Sequence, residues 1–521
     1  MKKNVLALSI AAMVGGLGFA GAANAALEVN ESGAGHILVV PYYTAQNGNM
    51  SVFHVTNTDM VDGKAVKVRF RGASNSDDVL DFQVFLSPGD VWTAAISKGA
   101  DGKAQLVTGD NSCTVPKITA GVPVPFMTDR LTKTGWTEEN KAEQTLEGYV
   151  EILTMADIPA AANGTNGLFK AIKHVNGVAP CTPAVLNSTL AVSPTTVAGG
   201  DATLTVGGTA NATPDLKAPK AAGGLLGQWY VMNVAQTTTF SGVTPAIVAT
   251  TAPKNVFSPQ KTGTAELLTA DPLMVTNLIP AQHYDVPDLS TPYETATTDA
   301  AVQATALTTA LQKTVVINQY ATDAGISAKT DWLFSMPTRR YTIAANYAAP
   351  ASDVGATTVA TADLAATSMV PVALTGTLPT TAYRVINGNM TNIFSTAANT
   401  TVNTAGQICV ASSGSVFLDR EEQKPETASD EPVFSPGTPA TVKKFALCGE
   451  VNVLAFSADE SSLGAKLSRQ NVAAPYANGW GTVSFASAVP MLGSAFIKLS
   501  NPEAAPGTSG TYGLTWAHAM N

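Results

Sequence analysis

The chain has 521 residues, of which 45% are hydrophobic and only 13% are charged, about half the usual share of charge. Its 39 acidic and 30 basic residues give a formal net charge of −9, and it has no basic stripe for phosphates, so no nucleic-acid partner is expected. The hydrophobic share is enough for a large core. The scarcity of charge favours a protein that packs against neighbours over a cytosolic enzyme.

Residues 1–25 have the three parts of a cleavable bacterial signal peptide. Two lysines form a basic start, an apolar stretch of small residues follows, and Ala23-Asn24-Ala25 supplies the A-x-A site of signal peptidase. Glycines interrupt the apolar stretch and Glu28 follows soon after it, which argues against a permanent membrane anchor. We therefore expect export, in a bacterium of Gram-negative type, and a mature chain without a transmembrane segment.

The segment after the signal peptide has the clearest strand pattern. HILVVPYY at 36–43 predicts an apolar strand, and Asn47-Gly48 is typical of a type I′ turn. MSVFHVTN at 50–57 is expected to return beside the first strand as a hairpin. Further turn dipeptides follow at similar spacing, which is typical of an antiparallel meander in a sandwich or a barrel.

The next strand, KAVKVRFR at 64–71, alternates between apolar and basic residues. A period of two places Val66, Val68 and Phe70 on a core and the basic side chains in water. The basic residues on the predicted wet face are Lys67, Arg69 and Arg71.

One stretch predicts a helix instead of a strand. Residues Asp299 to Gln312 are rich in Ala, Leu and Gln, and Thr298 is placed to cap them. Leu307 and Leu311 fall at helical spacing, so we expect this helix to pack on a sheet.

The rest of the chain completes a mainly β prediction. Ala/Thr-rich stretches separate the remaining strands, and the longest of them, 350–404, is predicted to be an insertion. We expect one or two antiparallel β-sandwiches with such insertions and one short helix. The first sandwich region is placed at 26–349, and the C-terminal β region at 405–521 is either separate or completes the same sandwich. The further strands are predicted at 148–155, 229–235, 313–319, 332–336, 341–345, 407–412, 445–456 and 495–499.

Four cysteines in an exported chain indicate disulfides, for which three connectivities exist. Short C-x-x-C pairs or histidine partners, which a zinc site needs, are missing from the sequence. We predict Cys113–Cys181 and Cys409–Cys448, because each pair closes a loop within one half of the chain.

No catalytic motif is visible in the sequence, and we do not expect an enzyme. The histidines lack metal-site spacing; His36 and His54 lie in the first strand pair, where ordinary hydrogen bonds are the favoured interpretation. Glu147 and Glu151 flank Tyr149 on one face of a strand. They are more typical of a solvated strand edge than of a pair of hydrolytic carboxylates.

The one dense cluster of charge lies near residue 420. Oxygen-rich acidic loops can hold Ca²⁺, but this one lacks the spacing of a calcium loop and contains Arg420 and Lys424. A solvated loop is therefore favoured, and Ca²⁺ is the alternative and the only cofactor considered. The candidate ligands are Asp419, Glu421, Glu422 and Asp430.

Several of these stretches resemble a loosely characterised group of Gram-negative cell-surface, or surface-layer-like, proteins. They are HILVVPYYTAQNGNMSVFHVTNT, VLDFQVFLSPGDVWTA, TDWLFSMPTRRY, FLDREEQ, CGEVNVLAF and NGWGTVSF. The resemblance covers about a third of the chain. It implies an envelope location and a β-rich structural role, and it brings no catalytic residues.

The expected function is that of a self-associating surface-layer or coat subunit on the cell surface or outside the cell, rather than in the periplasm, with cell-surface components as partners. The alternatives are an adhesin or carbohydrate-binding module and a secreted hydrolase. A sugar platform would expose two or three tryptophans side by side, whereas a structural role would leave them in the core. The six are Trp92, Trp136, Trp229, Trp332, Trp480 and Trp516.

Overall fold

The protein is mainly β, with 50% strand and 11% helix, in several antiparallel sheets with few short helices, which confirms the predicted β-sandwich class. The predicted signal peptide and most of the 350–404 insertion lie outside the described residues. The computed structural model describes residues 27–30, 33–129, 131, 136–160, 166–192, 200–211, 213–251, 253–260, 287–294, 300–339, 407–421, 444–457, 461–473, 475–505 and 508–520, together with five short strands between 343 and 402.

The first half of the chain supplies two facing sheets, here called sheets 1 and 2. Sheet 1 has the strand order β1-β15-β2-β10-β4-β5-β8, and sheet 2 has the order β14-β13-β3-β6-β7-β9. The strands are β1 (Leu27–Asn30), β2 (Ile37–Thr44), β3 (Met50–Asn57), β4 (Gly63–Gly72), β5 (Asp78–Leu86), β6 (Val91–Lys98), β7 (Ala104–Val107), β8 (Cys113–Val115), β9 (Val124–Pro125), β10 (Glu147–Ile158), β11 (Thr205–Val206), β12 (Thr209–Ala210), β13 (Leu225–Asn233), β14 (Thr238–Val243) and β15 (Ala246–Ala249). The helices are α1 (Glu138–Gln144), α2 (Gly167–Ile172), α3 (Pro183–Ser188) and α4 (Ala300–Ala310).

The second half supplies sheets 3 and 4. Sheet 3 has the order β27-β26-β17-β29-β30, and sheet 4 has the order β24-β28-β16-β31. The strands are β16 (Gln312–Ala321), β17 (Lys329–Ser335), β18 (Ile343–Asn346), β19 (Thr358–Val359), β20 (Ala382–Arg384), β21 (Asn392–Ser395), β22 (Thr400–Val402), β23 (Ile408–Ala411), β24 (Gly414–Leu418), β25 (Ala446–Cys448), β26 (Val451–Ala455), β27 (Arg469–Asn471), β28 (Asn478–Pro490), β29 (Leu492–Ala505), β30 (Thr508–Ala517) and β31 (Ala519–Met520). Because β16 and β17 pair with strands after residue 407, the predicted region 26–349 contributes to both sandwiches.

Aromatic side chains fill the space between the facing sheets. In the first sandwich Phe70 of sheet 1 packs edge-on against Phe53 of sheet 2, with ring centroids 5.8 Å apart. In the second, Trp332 of sheet 3 packs against Phe417 of sheet 4 at 6.0 Å. Truncating one such buried aromatic to alanine typically costs about 3–5 kcal/mol, so these contacts hold each pair of sheets together.

The core of the first sandwich extends onto one face of sheet 3, whereas the space between sheets 3 and 4 has a separate core. Phe496 of β29 packs against Trp229 of β13 and Phe240 of β14, with ring centroids 6.0 and 5.5 Å away. Gly513 of β30 makes a close approach possible here, because a Cβ at this position would lie 2.2 Å from the Thr239 carbonyl oxygen. We infer that the sandwiches are packed as one body and not merely tethered.

The predicted hairpin between residues 36 and 57 is wrong. β2 lies in sheet 1 between β10 and β15, whereas β3 lies in sheet 2 between β13 and β6. β2 is buried along its whole length, as expected for an apolar strand in the middle of a sheet that is covered on both faces. The Asn47-Gly48 turn, where both residues have positive φ, therefore carries the chain from one sheet to the other.

The predicted wet face of β4 is also wrong. Lys67, Arg69 and Arg71 are at most 1% exposed. The alternation correctly identified a strand with two different faces, but residues 253–260 and 287–294 cover the polar face. These two stretches are called the cover segments below.

The predicted helix is confirmed as α4, which is shorter than expected because β16 begins at Gln312. Leu307 and Leu311 are buried in the core, while Val302 on the opposite side is exposed. Thr298, the predicted cap, lies outside the described residues. Among the described residues no helix is long and apolar enough to cross a membrane.

Candidate functional site

Among the described residues, a large group of buried charges lies on the outer face of sheet 1. Here the three basic residues of β4 meet acidic residues from both neighbouring strands, because the register places Arg69 opposite Asp81 and opposite Glu151. Lys67 pairs with Asp81, Arg69 with Asp78, and the Arg71 Nε lies 3.2 Å from the Glu151 Oε1. We call this group the charge ladder; its members are Lys67, Arg69, Arg71, Asp78, Asp81, Glu151 and Asp288.

The cover segments close the ladder through polar contacts. Lys67 donates to the Gln260 side chain at 2.9 Å, and Arg69 donates to the Pro287 carbonyl at 3.4 Å. Asp288 contributes a carboxylate 3.8 Å from Arg71. The basic residues of β4 therefore hold the cover segments in place through two hydrogen bonds and one ion pair.

Burial dominates the electrostatics of the ladder. It raises the pKa of Glu151, although the guanidinium of Arg71 pulls that pKa down. Burial likewise raises the pKa of Asp78, against the opposing charge of Arg69. Because the cations and carboxylates pair with one another across neighbouring strands, the arrangement can fix the strand register and the position of the cover segments.

The prediction that Glu147 and Glu151 form a solvated strand edge is wrong. β10 lies between β2 and β4, and both carboxylates are 0% exposed. Tyr149 between them is also buried; its hydroxyl lies 2.8 Å from the Ser76 Oγ and donates to Glu151 at 3.4 Å. Sequence alternation could not reveal this, because it does not say what lies against the second face.

A cluster of three carboxylates that the sequence did not suggest lies beside the ladder. Oxygens of Asp59, Asp62 and Asp157 lie within 4.8 Å of one another. Two ammonium groups already occupy this acidic environment: Lys220 Nζ lies 2.7 Å from Asp59 and 2.8 Å from Asp62, and Lys64 Nζ lies 2.6 Å from Asp157. The three carboxylates therefore share this site with two lysines.

The predicted acidic loop is described only in part. Asp419 is half-buried and Glu421 is exposed, and the Glu421 backbone N–H donates to the Asp419 carboxylate at 2.9 Å. Glu422 and Asp430 lie outside the described residues. The Ca²⁺ alternative therefore stays a prediction.

His36 and His54 lie on different sheets and make separate hydrogen bonds. The His36 Nε2 donates to the Lys220 carbonyl at 2.8 Å, and its Nδ1 accepts from the Ala249 backbone N–H at 3.1 Å. His54 bonds Thr93 at 3.1 Å and stacks on Tyr230. Ordinary structural hydrogen bonding, the favoured interpretation, is confirmed for both.

The tryptophans divide into a buried and an exposed group. Trp92, Trp229 and Trp332 are at most 2% exposed, and Trp136 is partly buried against the first core. Trp480 and Trp516 are 37% and 51% exposed, but they belong to different sheets, Trp480 to sheet 4 and Trp516 to sheet 3.

Both predicted disulfides are confirmed. Cys113 of β8 is joined to Cys181, and Cys409 is joined to Cys448, its direct cross-strand partner on β25. Disulfides of this kind indicate an oxidising environment.

The chain matches no protein-family model, no curated protein and no solved structure.

Proposed function

We propose that the mature chain is an exported structural protein of the cell envelope that self-associates as a surface-layer or coat subunit. The signal peptide predicted at 1–25 and the two disulfides support export to an oxidising compartment. N-terminal sequencing of the native protein should then find Ala26 first, and a mature chain that still begins at the initiator methionine would contradict export by this route.

Fewer charges reach the surface than the sequence contains. At least fifteen of the 69 charged residues (30 basic and 39 acidic) are buried. A surface with little charge loses little hydration when it meets a neighbour, which supports self-association. The buried charged residues are Lys64, Lys67, Arg69, Arg71, Asp77, Glu147, Glu151, Asp157, Asp215, Lys254, Asp288, Glu294, Asp331, Arg339 and Glu450.

The single observation that carries the proposal is strand β30. It lies at the end of sheet 3 in the described part of the chain and contains no charged residue. Tyr512, Leu514 and Trp516 alternate along it and are 58%, 38% and 51% exposed. Most soluble proteins block such an end strand with charge or proline, because an open edge with apolar side chains pairs with other chains. We propose β30 as a contact between copies.

Light scattering and negative-stain microscopy of the mature chain test this proposal. We expect large assemblies at neutral pH, and more of them near the sequence pI of 5.1, where net repulsion is weakest. Leu514→Lys should reduce assembly, because it places a charge in the middle of the apolar row. Val302→Lys, a matched change at the exposed surface of α4, should not.

Two results would contradict the proposal. If the wild-type chain stays monomeric at every pH, with and without Ca²⁺, it does not self-associate and the proposal is wrong. If wild type and Leu514→Lys assemble equally, β30 is not the contact between copies.

One observation favours a carbohydrate-binding surface as a second candidate, namely the exposure of Trp480 and Trp516. Under this function Trp480→Ala should bind envelope polysaccharide less than wild type while assembling normally, and Trp516→Ala, which also changes the proposed β30 contact, should likewise bind less. Trp136→Ala, at a partly buried position, is a control for altered folding. Unchanged polysaccharide binding by both variants would leave the structural function alone.

A further inference from the structure

The stretch 461–467, between β26 and β27, links the two sandwiches and is called the clasp below. Leu463 and Ala465 are buried in the core of the first sandwich, where that core meets sheet 3. The clasp also turns at Gly464, which has a positive φ of 68°. A side chain there would force a neighbour to shift, because a Cβ on this residue would lie 2.9 Å from the side-chain nitrogen of Asn49. The clasp is thus inserted into the joint and does not merely lie over it.

Two buried carboxylates grip the clasp from opposite sandwiches. Glu147 of β10, in the first sandwich, accepts hydrogen bonds from the backbone N–H groups of Lys466 at 2.7 Å and Leu467 at 3.2 Å. Asp331 of β17, in the second, accepts from the Leu463 N–H at 2.8 Å and from the Ser461 hydroxyl at 2.5 Å. Both carboxylates are 0% exposed.

Among the described residues, no ion pair neutralises either of these two carboxylates, although several titratable groups lie near them. The Tyr42 hydroxyl donates a hydrogen bond to Glu147 at 3.4 Å. Burial, together with the charge of Glu147, holds the pKa values of Tyr42 and Tyr43 well above the usual value of a phenol, so both side chains stay neutral. The charge of Arg469 lowers the pKa of Asp331, but burial and two hydrogen bonds have larger effects on that pKa. Lys466 donates its backbone N–H to Glu147, whereas its side chain is exposed.

We propose that the clasp is a pH-responsive joint between the two sandwiches, tight when Glu147 and Asp331 are protonated and loosened when they ionise. Neutral carboxyl groups still accept the N–H bonds of the clasp and add no charge to the buried joint. Ionised carboxylates place two negative charges there, compensated by hydrogen-bond donors and, for Asp331, by the charge of Arg469, so opening to water becomes more favourable.

The direction of the pKa values supports this geometry. Burial raises the pKa of Glu147 to about 7, against the opposing hydrogen bonds from the clasp. Burial likewise raises the pKa of Asp331 to about 6. Because both values lie above those of the free groups, the closed joint is favoured at low pH and loses stability as the pH rises through about 4 to 7.

Hydrogen exchange of the mature, oxidised chain, followed by mass spectrometry at pH 5 and pH 8 and corrected for the intrinsic exchange rate, tests the joint. We expect the peptide containing the clasp to lose protection by roughly tenfold or more at pH 8, since each pKa unit is a factor of ten in the balance between closed and open forms. The double variant with Glu147→Gln and Asp331→Asn should keep its protection at pH 8. Glu139→Gln, the same kind of change on the exposed face of α1, should behave as wild type.

Two results would overturn the proposal. If the corrected protection of the clasp in wild type is equal at both pH values, the joint does not respond to pH. If the double variant shows the full wild-type response, these two carboxylates do not cause it. Peptides from β4 and β10 report whether each variant is folded. If the double variant does not fold, the wild-type comparison decides alone.

Discussion

Replacing Arg71 by methionine tests whether the charge ladder stabilises the fold. The substitution keeps most of the apolar volume but removes the contacts of the guanidinium with Glu151 at 3.2 Å, Asp288 at 3.8 Å and the Ser76 carbonyl at 3.2 Å. It leaves Glu151, at 0% exposure, without its ion-pair partner, although the positive charge of Arg69 still acts on this carboxylate. Breaking a buried pair in this way costs about 3–5 kcal/mol, a large part of the stability of an ordinary domain.

The cost should depend on pH in a definite direction. Burial already raises the pKa of Glu151 while Arg71 lowers it, so removal of Arg71 raises that pKa further. A carboxyl group with a raised pKa in the folded state favours folding at low pH and opposes it at high pH. We therefore expect Arg71→Met to lose less stability at pH 5 than at pH 8.

Urea unfolding of the oxidised mature chain, followed by tryptophan fluorescence, measures both effects. The matched control is Lys141→Met on α1, which removes an exposed ion pair with Glu138 and should cost less than about 1 kcal/mol. A loss in Arg71→Met no larger than in the control, or one that is the same at pH 5 and pH 8, would refute the reasoning.

Three further outcomes are expected. Burial lowers the pKa of His518 to about 4 from 6.5, so wild type should lose up to about 3 kcal/mol as the pH falls through that range, and His518→Asn should lack this part of the acid loss in urea titrations. Replacing Cys113 and Cys181, or Cys409 and Cys448, by serine should each cost about 4 kcal/mol in the unfolding free energy by loop closure, and the unreduced, unfolded wild type should show no titratable thiol. Excess chelator should leave the melting temperature unchanged if the acidic loop after β24 is simply solvated, whereas a lower melting temperature would indicate bound Ca²⁺.

Local patterns in the sequence predicted the elements well. The alternation of Val66, Val68 and Phe70 identified β4, and the spacing of Leu307 and Leu311 identified α4. Both patterns reflect a face that a single element must bury, which is a property of the local sequence. The disulfides were also predictable, because each pair joins residues within one half of the chain.

Partners that are distant in the sequence were not predictable in the same way. The turn at Asn47-Gly48 suits a hairpin, but only the neighbours β10, β13 and β15 decide that β2 and β3 go to different sheets. The basic face of β4 looked wet because the cover segments carry no pattern that marks them as a cover. The clasp was hidden for the same reason: Glu147 and Asp331 meet it only after two sandwiches have formed around it.

The place of β16 in sheet 4 has a consequence for the order in which the protein is made. Val316 lies opposite Val483 of β28 on one side and opposite Met520 of β31 on the other. The ribosome synthesises β16 long before β28 and β31, so until then both edges of this strand are unpaired and its apolar face is uncovered. Such a strand is a template for pairing with other nascent chains. The second sandwich must therefore close late, and the cell has to keep its first strands apart until then.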